Sequence, residues 1–201
     1  MENLGGIEIT QHKKYFIVIE GLDGVGKSTP SKELAISLDA NLLHTPDSRL
    51  QIIRPIFDNS SITTRTAFYI ACNHLVSDQT ISLLETKSVV LDRYYGSTIA
   101  ASYSHGLIER SDLKHKINDF SLDLLSPDLT VHLKLPESER IERIHGRDVE
   151  FSRDEKKLMI NHVFRKRYLE ALDSISDLTI NISGLSPKEI CSRIIKELYV
   201  K

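Results

Sequence analysis

Residues 21–28 read Gly21-Leu22-Asp23-Gly24-Val25-Gly26-Lys27-Ser28, and they follow the apolar run Tyr15-Phe16-Ile17-Val18-Ile19. A strand that runs into Gly-x4-Gly-Lys-Ser and then into a helix is the setting in which this spacing binds phosphate. Glycines let the backbone curl until successive N–H groups point into one concavity, a nest for phosphate oxygens. The helix opening near Lys27 adds the positive end of its dipole. Lys27 brings a mobile positive charge, and the Ser28 hydroxyl is a ligand of the right hardness for Mg2+. The structural alternative is a glycine turn that merely leads into a helix.

Outward from this loop, four more apolar segments alternate with helical patterns, as a parallel sheet requires. They lie at residues 41–44, 88–92, 129–135 and 178–182, with helices expected over 27–38, 63–86, 111–125, 137–147, 154–172 and 187–199. Pro30 falls in the first turn of its helix, where a missing N–H costs little. Ser186 before Pro187 is a capping residue followed by one preset for the first turn. These patterns predict one P-loop α/β domain over 1–201, a five-stranded parallel sheet flanked by helices, with a short tail at 1–14. Ligands in such sheets bind at the carboxyl ends of the strands. The phosphate loop, Asp92 and the loop after His44 therefore share one rim.

The composition fits a soluble globular protein: 201 residues, 40% hydrophobic and 27% charged. A net charge of −2 argues against a surface that coats nucleic acid. No apolar run approaches the length of a membrane span. The two cysteines, Cys72 and Cys191, form no disulfide framework and suit a reducing compartment. The first fourteen residues contain Glu2 and Glu8 and no arginine, unlike a presequence. Cytoplasm is the default location.

Chemistry concentrates in two further stretches. In Leu91-Asp92-Arg93-Tyr94, an acid closing an apolar strand can orient Mg2+ beside Ser28, and the adjoining arginine presents a fork suited to phosphate oxygens. A structural ion pair is the alternative there. The second stretch is rich in arginine. Arg140 reads as part of a solvated helix face with i,i+4 pairs. Arg147 lies within, and Arg153 directly after, the stretch from His145-Gly146 to Ser152, which lacks a helical pattern and reads as a mobile basic lid over about 145–154. Arg49 and Arg54, after the second strand, are equal candidates for an acceptor phosphate.

Together these stretches make the chain resemble the thymidylate kinase family of nucleoside monophosphate kinases across nearly its whole length. The matching residues are Gly21-Leu22-Asp23 through Lys27-Ser28-Thr29, Asp92-Arg93-Tyr94 with Ser97, Pro127-Asp128-Leu129, Leu135-Pro136-Glu137 and Glu142-Arg143-Ile144. The resemblance implies ATP and Mg2+ as cofactors, small nucleotides as the partners and a homodimer through the long helix. Gly21, Gly24, Val25, Gly26, Lys27, Ser28 and Thr29 would cradle the ATP phosphates, with Ser28 and Asp92 at the metal. Asp23 would approach the acceptor's sugar or phosphate. Arg93 would bridge donor and acceptor phosphates, and Arg143 would lie against adenine. Some relatives carry a basic residue at the position of Gly24 or Val25; its absence here implies a catalytic arginine from the lid, Arg147 or Arg153.

The resemblance breaks at the acceptor base. The family's Phe-x-x-Asn-Arg appears here as Ile70-Ala71-Cys72-Asn73-His74, so Ile70 replaces a stacking ring and His74 a base-reading arginine. His44-Thr45-Pro46-Asp47-Ser48-Arg49 stands in place of Glu-Pro-Gly, and Ala101-Ser102 replaces Tyr-Gln. These departures resemble the UMP-CMP kinase 2 subgroup, as do Arg65-x-Ala67-Phe68-Tyr69, Asn73 and Ser97-Thr98. The implied acceptor is a pyrimidine monophosphate (dTMP, dUMP, dCMP, UMP or CMP), with Tyr69, Ile70, Asn73, His74 and Ser97 around it. A partly buried helix histidine is the alternative for His74. A deoxynucleoside kinase would need a general base after the second strand, where Asp47 is the one acid. A P-loop protein that binds nucleotide without turnover is the remaining reading.

Overall fold

The computed structural model describes residues 13–121, 123–146 and 153–200. Five strands, β1 (Phe16–Glu20), β2 (Asn41–His44), β3 (Val89–Asp92), β4 (Leu129–Lys134) and β5 (Leu178–Asn181), form one sheet in the order β2-β3-β1-β4-β5. Every pairing is parallel. β1 sits at the centre with all five residues buried, which explains a strand written as continuous Phe-Ile-Val-Ile rather than as alternation. Ile17 and Ile19 join Leu34, Val131 and Ile194 in one core. Phe16 and Val18 join Val76, Leu91 and Tyr94 in the other.

The helices are α1 (Ser28–Ser37), α2 (Arg54–Asp58), α3 (Ile62–Leu84), α4 (Tyr95–Ser104), α5 (Leu113–Ser121), α6 (Glu137–His145), α7 (Arg153–Ile160), α8 (His162–Ile175) and α9 (Pro187–Leu198). All five expected strands are present. Two helices, α2 and α4, have no counterpart in the sequence patterns. The sequence Tyr-Gly-Ser-Thr-Ile-Ala-Ala-Ser-Tyr-Ser of α4 is poor in strong helix formers. It is helical because Ile99 and Ala100 are fully buried, so tertiary packing overrides propensity. The single helix expected over 154–172 is two, since Asn161 leaves helical geometry and its side chain accepts from Phe164 N at 2.9 Å, starting α8 afresh. α6 stops at His145, and Arg153 opens α7 rather than lying in an irregular lid. The rest of the expected lid, with Arg147, lies outside the described residues, as does most of the tail.

Register brings the strand ends level. Ile19 pairs with Asp92, and Asp92 pairs with His44, so the segments after β1, β2 and β3 leave the sheet side by side.

Candidate active site

The turn between β1 and α1 takes its shape from glycines. Gly24 and Gly26 have φ of 92° and 89°, a region closed to most side chains. At Gly24 space is also lacking, since an added Cβ would stand 2.5 Å from Ile144 Cγ1. A basic side chain at that position would displace α6. Val25 is 2% exposed. Lys27 precedes α1, and its ammonium donates to the carbonyls of Gly21 and Leu22 at 3.1 and 3.2 Å. Burial pushes this ammonium down to about 8, and Arg93 adds to the fall while Asp23, Asp92 and Glu20 oppose it.

Two arginines of α6 brace the loop. Arg140, expected on a solvated face, is fully buried. It forms a two-point pair with Glu137 at 2.7–2.8 Å and donates to Asp23 O at 2.8 Å. The i,i+3 carboxylate compensates its charge, which makes that burial tolerable. Arg143 donates to Val25 O at 2.9 Å, beside Gly26.

At the end of β3, Ser28 Oγ donates to Asp92 Oδ2 at 3.1 Å. The other oxygen, Asp92 Oδ1, is buried and lacks a hydrogen-bond partner among the described residues. A serine hydroxyl beside a carboxylate with one orphaned oxygen offers hard donors of the kind Mg2+ takes. Arg93 adopts φ of 70°, rare for a residue with a side chain. Its guanidinium donates to Ser97 Oγ at 2.8 Å and to Asp23 Oδ1. Beneath it lies Glu20, fully buried, accepting from Tyr94 N, Ser97 N and Ser97 Oγ at 2.9, 3.0 and 2.6 Å. Burial pushes the Glu20 carboxyl up, against Arg93 and these hydrogen bonds.

Two cavities meet here. One, lined by Gly24, Gly26, Lys27, Ser28, Thr29 and Asp92 among others, opens over the loop. The second, about 220 Å³, lies between α3, α4 and the start of α7. Asp23, Thr45, Pro46, Arg54 and Arg93 line both. The second cavity takes Ile62, Arg65, Thr66 and Tyr69 from α3, Ser97, Thr98 and Ala101 from α4, and Arg153 with Asp154 from α7. Arg65 Nη2 donates to Asp154 Oδ2 at 2.6 Å, tying α3 to α7. Arg54 is held by Asp58, Nε to Oδ2 at 3.0 Å, and Asp58 also accepts from the Tyr69 hydroxyl at 2.9 Å.

The residues singled out in the sequence divide accordingly. Lys27, Ser28, Thr29, Asp23, Asp92, Arg93, Arg54, Tyr69, Ser97 and Arg153 line the joined cavities. Arg49 does not: it is 78% exposed and pairs with Asp47 through Nε–Oδ1 and Nη2–Oδ2 contacts of 2.9 Å. Asp47 takes a third bond from Arg49 N and is held down at about 2, chiefly by Arg49. Ile70 and His74 are not among the lining residues, and His74 is exposed. Asn73 is buried behind the wall, bonding Thr98 Oγ1 at 3.0 Å. Ile62, Arg65, Thr66 and Tyr69 share one face at i, i+3, i+4 and i+7. That periodicity, read backwards from Tyr69, was the available signal for Arg65. Glu20 had a weaker one, as an acid ending an otherwise apolar strand.

The thymidylate kinase family profile matches residues 19–194. The human protein "UMP-CMP kinase 2, mitochondrial" is 37% identical over 185 residues, covering 90% of this chain and 41% of that protein. The chain thus spans about two fifths of that relative's length. A probable thymidylate kinase of Methanocaldococcus jannaschii is 31% identical over 185 residues, covering 90% of this chain and 93% of the relative. The solved thymidylate kinase of Candida albicans matches with a TM-score of 0.71 over 94% of this chain and 92% of its own, at 20% identity. That likeness speaks for the fold, a P-loop NTPase sheet. From Ile19 to Ile194 the chain therefore belongs to the thymidylate kinase family, and it is a nucleoside monophosphate kinase.

Proposed function

We propose that the chain moves the γ-phosphoryl group of ATP reversibly to a pyrimidine nucleoside monophosphate, giving ADP and the nucleoside diphosphate. The observation that carries this reading is the junction of the two cavities, where Arg54 and Arg93 line both. Two arginine forks at one boundary suit a reaction that brings two phosphates together. An oxygen of the acceptor phosphate attacks the γ-phosphorus as the bond to the bridging oxygen of ADP breaks. That oxygen is already an anionic nucleophile, so the site needs alignment and charge neutralisation rather than a strong base.

The chain's own residues divide that work. Gly21, Gly24, Val25, Gly26 and Thr29 shape the donor cradle, and Lys27 offers its ammonium to the ATP phosphates. Ser28 and Asp92 would hold Mg2+, which would supply charge neutralisation for the donor phosphates. Arg143 closes the adenine side, against the loop carbonyl it already bonds. Asp23 and Ser97 orient Arg93, and Arg54 takes the acceptor phosphate in preference to Arg49. The catalytic arginine comes from beyond α6, Arg147 or Arg153, since a Cβ added at Gly24 would already stand 2.5 Å from Ile144 Cγ1. The pyrimidine base lies against Tyr69 and Arg65. Both named relatives carry pyrimidine nucleotides in their names, which supports that class.

Two alternatives lose ground to specific observations. A deoxynucleoside kinase would need Asp47 as its base, but Asp47 is engaged on both oxygens by Arg49 and stays ionised down to about 2. Such a carboxylate is a weak proton acceptor. A binding protein without turnover would have no use for the second cavity. We also infer a homodimer through α3, whose Leu75 and Ile81 are 53% and 52% exposed, and a cytoplasmic location. Among the described residues no helix is long and apolar enough to cross a membrane. A panel of dTMP, dUMP, dCMP, UMP and CMP, followed as ADP release with ATP and Mg2+, tests the acceptor class. Release with none of the five would overturn it.

A further inference from the structure

Glu20 ends the central strand with no exposed surface, and a carboxylate so placed must be compensated to be tolerated. Its compensation comes from one neighbouring segment. Oε1 accepts from the backbone N–H of Tyr94 and Ser97 at 2.9 and 3.0 Å. These are the N-cap and third residues of α4, and Tyr94 offers the helix no side-chain cap of its own. Glu20 therefore caps α4 from another element, with its charge at the favourable end of the helix.

The second oxygen does something a cap does not require. Oε2 accepts the Ser97 hydroxyl proton at 2.6 Å, while Ser97 Oγ accepts from Arg93 Nη1 at 2.8 Å. A serine hydroxyl has one proton. Giving it to Glu20 leaves the lone pairs of Ser97 facing Arg93. Gly96 keeps this approach open, since a Cβ there would stand 2.8 Å from Glu20 Oε1.

The structure assigns Glu20 a positioning role: through the Ser97 hydroxyl it sets the direction in which Arg93 presents its guanidinium to the two phosphates. This rests on the phosphoryl-transfer reading for what Arg93 meets, but the relay itself is a matter of geometry. Glu20→Gln keeps the size of the side chain and an oxygen for the two N–H groups. It puts an N–H donor where Ser97 needs an acceptor. Ser97→Ala removes the relay and leaves the Glu20 cap on α4 in place.

The test uses the whole chain carrying Glu20→Gln, Ser97→Ala, Arg93→Ala and the Glu20→Gln/Arg93→Ala pair, each checked for folding by circular dichroism. Glu20→Gln and Ser97→Ala should each lower kcat about tenfold or more while KM for ATP moves by less than about threefold. In the Arg93→Ala background, Glu20→Gln should cost less than about twofold more, because residues acting as one unit are not additive. An equal loss in both backgrounds, or a parent-like kcat in both single variants, would overturn the assignment. If Glu20→Gln does not fold, Ser97→Ala carries the same kinetic test. Should the parent turn over none of the pyrimidine monophosphates, the functional reading fails, and the Arg93 side-chain nitrogen resonance decides the relay instead. It should be distinct and slowly exchanging in the parent and shift toward free arginine in both single variants. An unchanged resonance would overturn the relay independently of turnover.

Discussion

Lys27 and Arg54 carry the sharpest expectations for single residues. Lys27→Ala should remove nearly all turnover while the protein stays folded. Activity within about tenfold of the parent, roughly 1.4 kcal/mol of barrier, would deny the loop its catalytic role. The lysine also sets a pH limit. Its ammonium is lowered to about 8, so the free enzyme loses this charge as pH rises through that value. The profile of kcat/KM for ATP should therefore fall on the alkaline side of about 8. Arg54→Ala should raise KM for the monophosphate by about 10–100-fold, the cost of one or two charge-assisted bonds. Arg49→Ala should leave it near the parent value. Equal effects from the two substitutions would contradict the choice between them. In the sequence these arginines were indistinguishable, because nothing local says that Asp47 captures Arg49 while Asp58 turns Arg54 into the cavity. The buried Arg140 was illegible for the same reason: its pattern of charged neighbours suits a solvated face, and only the fold puts the carbonyls of Asp23 and Leu158 around it.

Among the elements, legibility followed the source of stability. β1 announces itself through its apolar run and α9 through its cap, and both survive in the structure. Ser186 forms a capping box with Glu189, with Pro187 in the first turn of α9. Ser186→Ala should lower stability by about 1 kcal/mol, measured by denaturant unfolding, without changing activity. α4 is the opposite case. Its glycine and hydroxyl residues gave no helical signal, and its serines bond back to carbonyls four residues earlier, as Ser102 and Ser104 do at 2.8 and 2.7 Å. Burial and the Glu20 cap hold it. On α3 the family pattern pointed to Tyr69, Ile70, Asn73 and His74, and of these only Tyr69 belongs to the Ile62-Arg65-Thr66-Tyr69 stripe that lines the cavity.

For the molecule as a whole, the alternation of strands and helices fixed the sheet but left open which arginines its loops bring together. One buried group should be felt in global stability. His132, on β4, is fully buried against Asp173 at 2.9 Å, and burial lowers its imidazolium from 6.5 to about 4. Between those values the unfolded chain binds a proton that the folded chain does not, so stability is complete above about 6.5 and declines as pH falls toward 4. His132→Asn should flatten that decline in pH-dependent unfolding. The inferred dimer predicts a light-scattering mass of twice 22.8 kDa, lowered to a single chain by Leu75→Glu. The central claim is that phosphate passes between two phosphates across Arg54 and Arg93. Its most direct measurement is ADP release with ATP and Mg2+ in one coupled assay, comparing dTMP and dCMP with thymidine and deoxycytidine. Release should depend on an added monophosphate and be absent with the nucleosides. Release with the nucleosides and none with the monophosphates would contradict it.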